Sequence, residues 1–267
     1  MTDTTTHPLS DEVADLTVEP GDVLLEVDDL HTTFSSERGP VRAVRGVSFE
    51  LRRGRTLGVV GESGSGKSVL SRSLMGLLPP NADLTGSVRF AGQELVGAPV
   101  NVLRKYWGDQ ISMVFQDPMT ALNPVLRVDQ QITEALLEHI DMSKRQARET
   151  AMELMQSVGI PEPARRMRQY PHELSGGMRQ RIMIAIALAC GPKLLFADEP
   201  TTALDVTVQS QILDLIGQQR RERHMSVILV THDLGVVAGH TDEIAVMYGG
   251  RIVERAPTRA LFANMKM

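Results

Sequence analysis

Two kinds of hydrophobic pattern predict the strands of this chain. Apolar and polar residues alternate in three segments, which predicts half-buried strands at residues 23–34, 47–51 and 86–90. Four other segments are short, mostly apolar runs, as in parallel strands covered on both faces: residues 56–60, 111–115, 194–197 and 227–230. A closing hairpin is predicted around Gly249-Gly250, a pair that suits a two-residue turn. The pattern therefore predicts an α/β core with an antiparallel layer beside it.

Helical periodicity dominates the middle of the chain. Two apolar stripes have helical spacing: Val128, Ile132, Leu136 and Ile140, and then Ala147, Ala151, Leu154 and Val158. Ser143 and Gln146 predict a capping box at the start of the second helix, and Gly159 followed by Pro161 predicts its end. We expect a helical subdomain, about residues 123–175, inserted into the α/β core.

The octapeptide Gly61-Glu62-Ser63-Gly64-Ser65-Gly66-Lys67-Ser68 lies between a predicted strand and a helical segment that begins at Val69. It fits the pattern G-x-x-x-x-G-K-[ST] of a phosphate-binding loop. Its glycines let backbone N–H groups turn inward around phosphates, and the helix adds its positive dipole end. We expect Lys67 to reach the β and γ phosphates of a nucleotide and Ser68 to bind Mg²⁺. A glycine-rich loop without function is the alternative, which the flanking strand and helix disfavour.

The composition is that of an ordinary globular protein, with 42% hydrophobic and 23% charged residues. A net charge of -5 argues against a broad nucleic-acid surface, which needs an excess of Lys and Arg. Cys190 is the single cysteine, so the chain has no internal disulfide. The longest apolar run, residues 182–190, is about half the roughly 20 residues of a membrane-spanning helix. Residues 1–21 lack the features of a secretory signal and are expected to form a flexible N-terminal tail.

Polar side chains stand at the ends of three predicted strands: Gln116, the pair Asp198-Glu199, and His232. Because the carboxyl ends of parallel strands meet at one edge of a sheet, we expect these residues near the phosphate loop. Asp198 and Gln116 suit the coordination shell of Mg²⁺, and Glu199 is suited to polarising an attacking water. His232 is expected to act in the same site. The alternatives are a helix cap for the carboxylates, an exposed loop glutamine and a structural histidine.

A second phosphate-binding helix end is predicted at Ser175-Gly176-Gly177. Ser175 is suited to be the N-cap, and the glycines leave the N–H groups of the first turn open to an anion. We expect this helix end to face a different nucleotide from the one held by the phosphate loop. Met178 and Cys190, which continue an apolar stripe of the same helix, are expected to be core residues rather than ligands.

Three further expectations concern two single residues and two basic pairs. Phe34, at the end of the first strand, is expected to stack on an adenine ring, with a plain core aromatic as an equal alternative. Asp205 is expected to cap the helix that follows it. The basic pairs Arg165-Arg166 and Arg220-Arg221 are expected to be solvated surface residues.

Taken in order, these motifs resemble the ATP-binding subunits of ABC transporters, over about residues 23–257. The corresponding motifs are residues 61–68 as Walker A, Gln116 as the Q-loop, Ser175-Gly176-Gly177 as the signature, Asp198-Glu199 as Walker B with its catalytic glutamate, Ala203-Leu204-Asp205 as the D-loop and His232 as the switch histidine. Residues 115–124 and 170–180 resemble the peptide and nickel importer branch, above all the oligopeptide permease subunits.

The resemblance implies a P-loop NTPase fold of the ABC type, with a RecA-like parallel sheet, an antiparallel β subdomain and the inserted helical subdomain. Residues 22–257 would form the ATP-binding cassette, and residues 258–267 would begin a C-terminal extension that is absent or truncated. The implied cofactors are ATP and Mg²⁺. The implied partners are a second cassette, identical or homologous, two membrane permease subunits and an extracytoplasmic solute-binding protein, without nucleic acid. The chain would lie at the cytoplasmic face of the membrane.

The resemblance also implies how the subunit works: two cassettes pair head to tail, and each ATP lies between Walker A of one and the signature of the other. The residues expected to bind nucleotide are Phe34, Gly61, Glu62, Ser63, Gly64, Ser65, Gly66, Lys67, Ser68, Val69, Ser175, Gly176, Gly177 and Asp205. The expected catalytic residues are Glu199, His232, Lys67 and Gln116, and the expected Mg²⁺ ligands are Ser68, Gln116 and Asp198.

Other functions have weaker support from the sequence. A GTPase should carry an N-K-x-D element to read guanine, and the chain has none. A soluble ABC protein acting in DNA repair or on ribosomes would usually have long coiled coils or a second cassette. A scaffold that binds ATP without hydrolysis is disfavoured because Glu199 and His232 are both present. A nickel importer ATPase of the same branch remains an alternative to a peptide importer.

Overall fold

The computed structural model describes residues 21–37, 39–201 and 205–264. Most of the predicted N-terminal tail, residues 1–20, lies outside the described residues, as do Ala203 and Leu204 of the predicted D-loop and the last three residues of the chain. Asp205, at the other end of that D-loop segment, is described.

Strands and helices follow the predicted order along the chain. The strands are β1 (Val23–Phe34), β2 (Val41–Arg52), β3 (Thr56–Val60), β4 (Ala82–Phe90), β5 (Gln93–Glu94), β6 (Ile111–Val114), β7 (Leu194–Asp198), β8 (Ser226–Thr231), β9 (Glu243–Tyr248) and β10 (Arg251–Pro257). The helices are α1 (Lys67–Leu74), α2 (Val100–Leu103), α3 (Pro118–Ala121), α4 (Val128–His139), α5 (Lys144–Ser157), α6 (Pro163–Arg166), α7 (Gly176–Ala187), α8 (Val206–Arg223), α9 (Leu234–Ala238) and α10 (Thr258–Asn264), with a 3₁₀ turn at Pro171–Glu173.

Two sheets make up the β structure of the described residues. A four-stranded antiparallel sheet has the order β2-β1-β4-β5, and a six-stranded sheet has the order β10-β9-β3-β8-β7-β6. In the larger sheet β9, β3, β8, β7 and β6 are parallel, and β10 pairs antiparallel with β9. The carboxyl ends of β3, β8, β7 and β6 therefore lie side by side at one edge. The predicted parallel core and antiparallel layer are both confirmed.

The parallel sheet is buried because both of its faces are covered. In β7, Leu195 and Ala197 belong to the apolar cluster formed with the helices, whereas Leu194 and Phe196 belong to the cluster shared with the antiparallel sheet. Successive side chains of a strand point to opposite faces, so two covered faces require a continuous apolar run. This explains why the run from Leu194 to Ala197 has no polar interruption.

The central helices begin and end where the sequence predicts. Ser143 and Gln146 form the capping box of α5, and the helix ends before Gly159, whose φ is 73°.

Helix α7 ends at Ala187, so Cys190 lies beyond it rather than on its last turn, although Cys190 still packs against the helical cluster. Residues 118–187, which are all described, hold helices and no strand. The proposed subdomain limits, about 123–175, remain a prediction because these helices share one apolar cluster with the parallel sheet.

The terminal hairpin fastens the phosphate loop. Gly249 and Gly250 both have positive φ, 54° and 81°, which a two-residue turn of this type needs and which glycine adopts without strain. The Gly250 N–H donates to the carbonyl of Ser65 at 2.9 Å. The predicted turn is confirmed, and it also holds the loop in place.

The prediction that Arg220 is a solvated surface residue is wrong. Its guanidinium donates to Asp242 at 2.8 Å and to Thr56 at 3.1 Å, and its side chain is 23% exposed. Asp242 also accepts from the Thr56 N–H at 2.8 Å and pairs with Arg55 at 3.1 Å. These contacts join α8 to the start of β3, and Arg220 and Thr56, which lie 164 positions apart in the chain, cannot be paired from periodicity alone. Arg166, with a side chain 19% exposed, is also more buried than predicted.

We therefore expect Asp242→Ala to lower the free energy of unfolding by about 1–3 kcal/mol, because it leaves the Thr56 N–H without its acceptor and removes the carboxylate that pairs with the half-buried Arg220. Urea denaturation measures this. Glu149→Ala is the matched control, since its ion pair with Arg145 is exposed on both sides and should contribute less than about 0.5 kcal/mol. Equal effects of the two changes would contradict the structural role of Asp242.

Candidate active site

A cleft of about 670 Å³ opens at the carboxyl edge of the parallel sheet. Its lining residues are Ala43, Glu62, Ser63, Gly64, Gly66, Lys67, Ser68, Val69, Gln116, Glu199 and His232. Every one of these except Ala43 was predicted from the sequence. The phosphate loop following β3 forms one wall, and residues following β6, β7 and β8 form another, as the shared strand edge requires.

Two glycines let the phosphate loop pack closely on neighbouring backbone. A Cβ at Gly61 would lie 2.2 Å from the Met247 carbonyl oxygen, and one at Gly66 would lie 2.3 Å from the Ala43 carbonyl oxygen. Gly66 also has a φ of 104°, which disfavours any side chain. Gly64 also has a left-handed φ, 79°, but it has open space around it. The loop is therefore clamped between β9 and β2 at its two ends and open at its middle.

Lys67 is held inside the loop that it follows. It is 4% exposed, and its Nζ donates to the Gly61 carbonyl at 2.8 Å and to the Glu62 carbonyl at 2.9 Å. Because an ammonium group has three donors, Nζ keeps one donor beyond these two carbonyls. The loop thus presents a fixed positive charge where the nucleotide phosphates are expected.

Ser68 and Asp198 meet beneath the cleft. The Ser68 hydroxyl donates to Asp198 Oδ1 at 3.0 Å, and Asp198 is 3% exposed. Burial raises the pKa of the Asp198 carboxyl, and the charge of Glu199 adds to this, although the Ser68 hydrogen bond and the charges of Arg72 and Lys67 oppose it. A hydroxyl and a buried carboxylate side by side are oxygen ligands of the type that Mg²⁺ prefers.

Glu199 is placed by an uncommon backbone conformation. Its φ is 46°, in the left-handed region, which costs a non-glycine residue about 1–3 kcal/mol. Its N–H donates to the Val230 carbonyl at 2.9 Å, which continues the pairing of β7 with β8 by one residue. The side chain is 14% exposed and lines the cleft. The carboxylate of this residue at the tip of β7 therefore stands in the cleft.

One oxygen of Glu199 contacts the two other polar residues predicted for this edge. The Gln116 amide donates to Glu199 Oε2 at 3.1 Å, and His232 Nδ1 lies 3.4 Å from the same oxygen. Gln116 follows β6 and His232 follows β8, on either side of β7. The structure therefore brings Gln116, Glu199 and His232 together in one group.

Some predicted site residues lie outside the cleft. Ser175 caps α7 by accepting from the Met178 N–H at 3.3 Å, as predicted, but neither it nor Gly176 and Gly177 lines the cleft. Asp205 caps α8 through the Val208 N–H at 2.9 Å and is likewise outside. Phe34 lies at the end of β1, paired with Val41 and Ala82, and does not line the cleft, so its stacking on adenine stays a prediction. Ser65 and Asp198 are buried behind the lining residues.

Ala43 is the lining residue that the sequence did not reveal. It belongs to β2, more than a dozen residues before the phosphate loop, and an alanine in an alternating strand carries no chemical signal. It reaches the cleft because its carbonyl packs against Gly66 and Gly250.

A model of the ABC transporter family matches residues 44–202, which is more than half of the chain. The chain belongs to the ABC transporter family. An oligopeptide transport ATP-binding protein of Salmonella typhimurium is 53% identical over 251 residues, which is 94% of this chain and 75% of that protein. A dipeptide transport ATP-binding protein of Bacillus subtilis is 54% identical over 241 residues, which is 90% of this chain and 72% of that protein.

Solved structures of the family have the same fold. The ATP-binding cassette MJ0796, in a dimeric post-hydrolysis state with ADP and Pi, matches with a TM-score of 0.79 at 27% identity, over 88% of this chain and 99% of that chain. CbiO1 from Clostridium perfringens, part of an ABC transporter complex, matches with a TM-score of 0.76 at 27% identity, over 91% of this chain and 92% of that chain. This ABC subunit thus binds and hydrolyses ATP, and its phosphate loop lines the cleft. Among its described helices, none has the length and apolar character needed to cross a membrane.

The raised pKa of Asp198 has a consequence for stability without nucleotide. A carboxyl whose pKa is higher in the folded than in the unfolded state stabilises the fold below its unfolded pKa and loses that contribution as pH rises through the folded pKa. We therefore expect Asp198→Asn to raise the melting temperature at pH 7 and to lose this advantage toward pH ~4. Thermal unfolding across this range measures it. A variant that melts below the parent at pH 7, by the same margin at every pH, would contradict the account.

Proposed function

We propose that this chain is the ATP-hydrolysing subunit of an ABC importer for oligopeptides or dipeptides. The observation that carries the proposal is the pair of phosphate-binding helix ends, of which one lines the cleft and the other lies outside it. Support for a peptide as the transported solute comes from the relatives named for oligopeptide and dipeptide transport, which are more than half identical to this chain over most of its length.

The subunit would act as one half of a head-to-tail pair with a second cassette, either identical or homologous. Ser175 and Gly176 at the start of α7 are exposed, and neither lines the described part of this subunit's own cleft. A helix end with two glycines is suited to the γ-phosphate of a nucleotide held by a partner. A related cassette, MJ0796, has been solved as a dimer, which agrees with this arrangement.

Mg²⁺ is the metal that fits the site. Ser68 and Asp198 supply two hard oxygen atoms, and Gln116 lies at the edge of the same cleft. Mg²⁺ is usually held by one or two protein oxygens together with phosphate and water, so a larger cluster of acidic side chains is not required. In the described part of the chain no such cluster of three or more His, Cys, Asp or Glu residues occurs. When bound, the metal neutralises charge on the phosphates.

Hydrolysis would depend on the phosphate loop after β3 and on residues at the ends of β6, β7 and β8. Lys67 and the loop N–H groups would bind the phosphate oxygens. Lys67 is buried, so the loop holds its ammonium group in place. Glu199 orients and polarises the attacking water, while its contacts with Gln116 and His232 hold the carboxylate in the cleft. His232, with a side chain 59% exposed, remains accessible to the nucleotide and to a partner cassette.

The remaining partners would be two membrane permease subunits and an extracytoplasmic solute-binding protein. The chain would therefore sit peripherally at the cytoplasmic face of the membrane. It would not touch the peptide, because the solute passes through the permeases. The net charge of -5 fits a protein partner better than nucleic acid.

Glu199→Gln keeps the size of the side chain and removes its charge. We expect ATP binding to persist, because the phosphate loop is intact, while hydrolysis falls by about 10² to 10⁴. Equilibrium binding and ATPase assays with the partner cassette measure the two effects, and size exclusion with Mg-ATP should show a longer-lived dimer. Glu153→Gln, an exposed change on α5, is the control. Hydrolysis near the parent rate would rule out Glu199 as the base and make His232 the first candidate.

The transport partners can be identified by affinity capture of the chain from membranes. We expect two integral permease chains to co-purify, and we expect the captured complex to raise its ATPase rate with peptide and the solute-binding protein but not with Ni²⁺. Stimulation by Ni²⁺ alone would favour the nickel branch. Capture of DNA or ribosomes without permeases would overturn the importer assignment.

A further inference from the structure

A second cleft, of about 310 Å³, lies at the amino edge of the parallel sheet, opposite the nucleotide cleft. It opens where β3 and β9 begin, at Thr56 and Glu243. The residues that line this arginine cleft are Glu50, Leu51, Arg52, Arg55, Thr56, Asp242, Glu243, Arg255 and Pro257. None of them belongs to the proposed site of ATP hydrolysis, so the arginine cleft needs an explanation of its own.

Positive charge is in excess around the acidic side chains of the arginine cleft. Asp242 accepts from Arg55 at 3.1 Å and from Arg220 at 2.8 Å, and Glu243 accepts from Arg255 at 2.6 Å. Three arginines therefore share two carboxylates. A further anionic group would be attracted to this place.

The exposed arginines also keep most of their hydrogen-bond donors, of which a guanidinium has five. Arg55 is 65% exposed and uses only Nη1, for Asp242. Arg52 is 58% exposed and, among the described residues, its guanidinium donates only to the Gly21 carbonyl, at 2.7 Å. In Arg53, the buried Nε and Nη2 have no hydrogen-bond partner among these residues. Carboxylates would suit the unused donors, since they bind guanidinium groups in a two-pronged geometry.

The N-terminal part of the same chain supplies carboxylates beside this cleft. Residues 1–20 contain no Lys or Arg and five acids: Asp3, Asp11, Glu12, Asp15 and Glu19. The whole chain has 28 Lys and Arg against 33 Asp and Glu, so residues 21–267 have 28 of each. The net charge of -5 therefore belongs entirely to the first 20 residues. Because Gly21 accepts from Arg52, these residues join the described fold at the arginine cleft.

We propose that residues 11–19 bind the arginine cleft of their own subunit through their carboxylates. Glu19 and Asp15 lie two and six positions before Gly21, which is about 7 and 20 Å of extended chain, so both can reach the cleft. A tethered segment needs little intrinsic affinity, because its effective concentration at the cleft is high. Binding would restrain the tail that its composition alone predicts to be flexible, and it would keep acidic segments of other proteins out of the cleft. This proposal depends neither on transport nor on nucleotide.

Limited proteolysis of the full chain by thermolysin tests the proposal, because this protease cleaves before the apolar residues Val13, Leu16 and Val18. We expect the double change Arg52→Glu and Arg55→Glu to speed cleavage of the parent tail about two- to tenfold, since it weakens several exposed ion pairs and raises the unbound fraction.

The same change of the cleft should act in the opposite direction on a basic tail. We expect it to slow cleavage when the four acids of residues 11–19 are reversed, since the pairing is then restored with opposite sign. The tail changes are Asp11→Lys, Glu12→Lys, Asp15→Lys and Glu19→Lys. The comparison is made within each tail, so a preference of the protease for one tail sequence does not enter it.

Arg104→Glu with Lys105→Glu is the matched control, because it makes the same change in net charge at exposed residues outside the arginine cleft. It should leave both cleavage rates unchanged. Melting temperatures are measured for every variant. If the double Glu variant does not fold, Arg52→Gln with Arg55→Gln should still speed cleavage of the parent tail. Unchanged rates, equal effects of the cleft and control changes, or a cleft change that acts in the same direction on both tails would overturn the proposal.

Discussion

The close approach of the phosphate loop to the backbone of β9 and β2 is the constraint on which the site depends. Gly61 and Gly66 permit that approach because they have no side chain. A Cβ at Gly61 would collide with the Met247 carbonyl, and a Cβ at Gly66 would collide with the Ala43 carbonyl. The turn at Gly250 adds a hydrogen bond to the loop from the end of the chain's last hairpin. The loop is thereby fixed by elements from both ends of the sequence, and Lys67 can be buried with its charge oriented by the loop's own carbonyls.

Burial also sets the electrostatics beneath the cleft. Asp198 and Glu199 are adjacent acids at the tip of β7, and Asp198 is almost fully buried. Two neighbouring carboxylates in a poorly solvated place repel each other, which contributes to the raised pKa of Asp198. The charges of Lys67 and Arg72 partly offset this. A divalent cation would offset it further, which supports the proposal that this site binds a metal.

The subunit is asymmetric in its use of helix ends. Helix α1 begins inside the cleft, directly after the phosphate loop, whereas α7 begins outside it with an exposed Ser175 and Gly176. A helix N-terminus attracts anions wherever it is exposed, so the second end is suited to a nucleotide that this subunit does not hold. Arg179 fixes the turn before this outer end by donating to the carbonyls of Pro171 and Leu174.

The sequence by itself determined the local features of this protein. The octapeptide 61–68 with its flanking strand and helix, the capping box at Ser143, the N-cap at Ser175 and the glycine turn at 249–250 each depend on neighbouring residues, so spacing and residue type were sufficient. The grouping of strand-end residues also followed, since parallel strands share one carboxyl edge. The tertiary structure alone decided which distant residues touch: Ala43 in the cleft, Phe34 outside its lining, and Arg220 paired with Asp242. These contacts depend on the strand order β10-β9-β3-β8-β7-β6 and on how the layers pack, which periodicity along one chain does not encode.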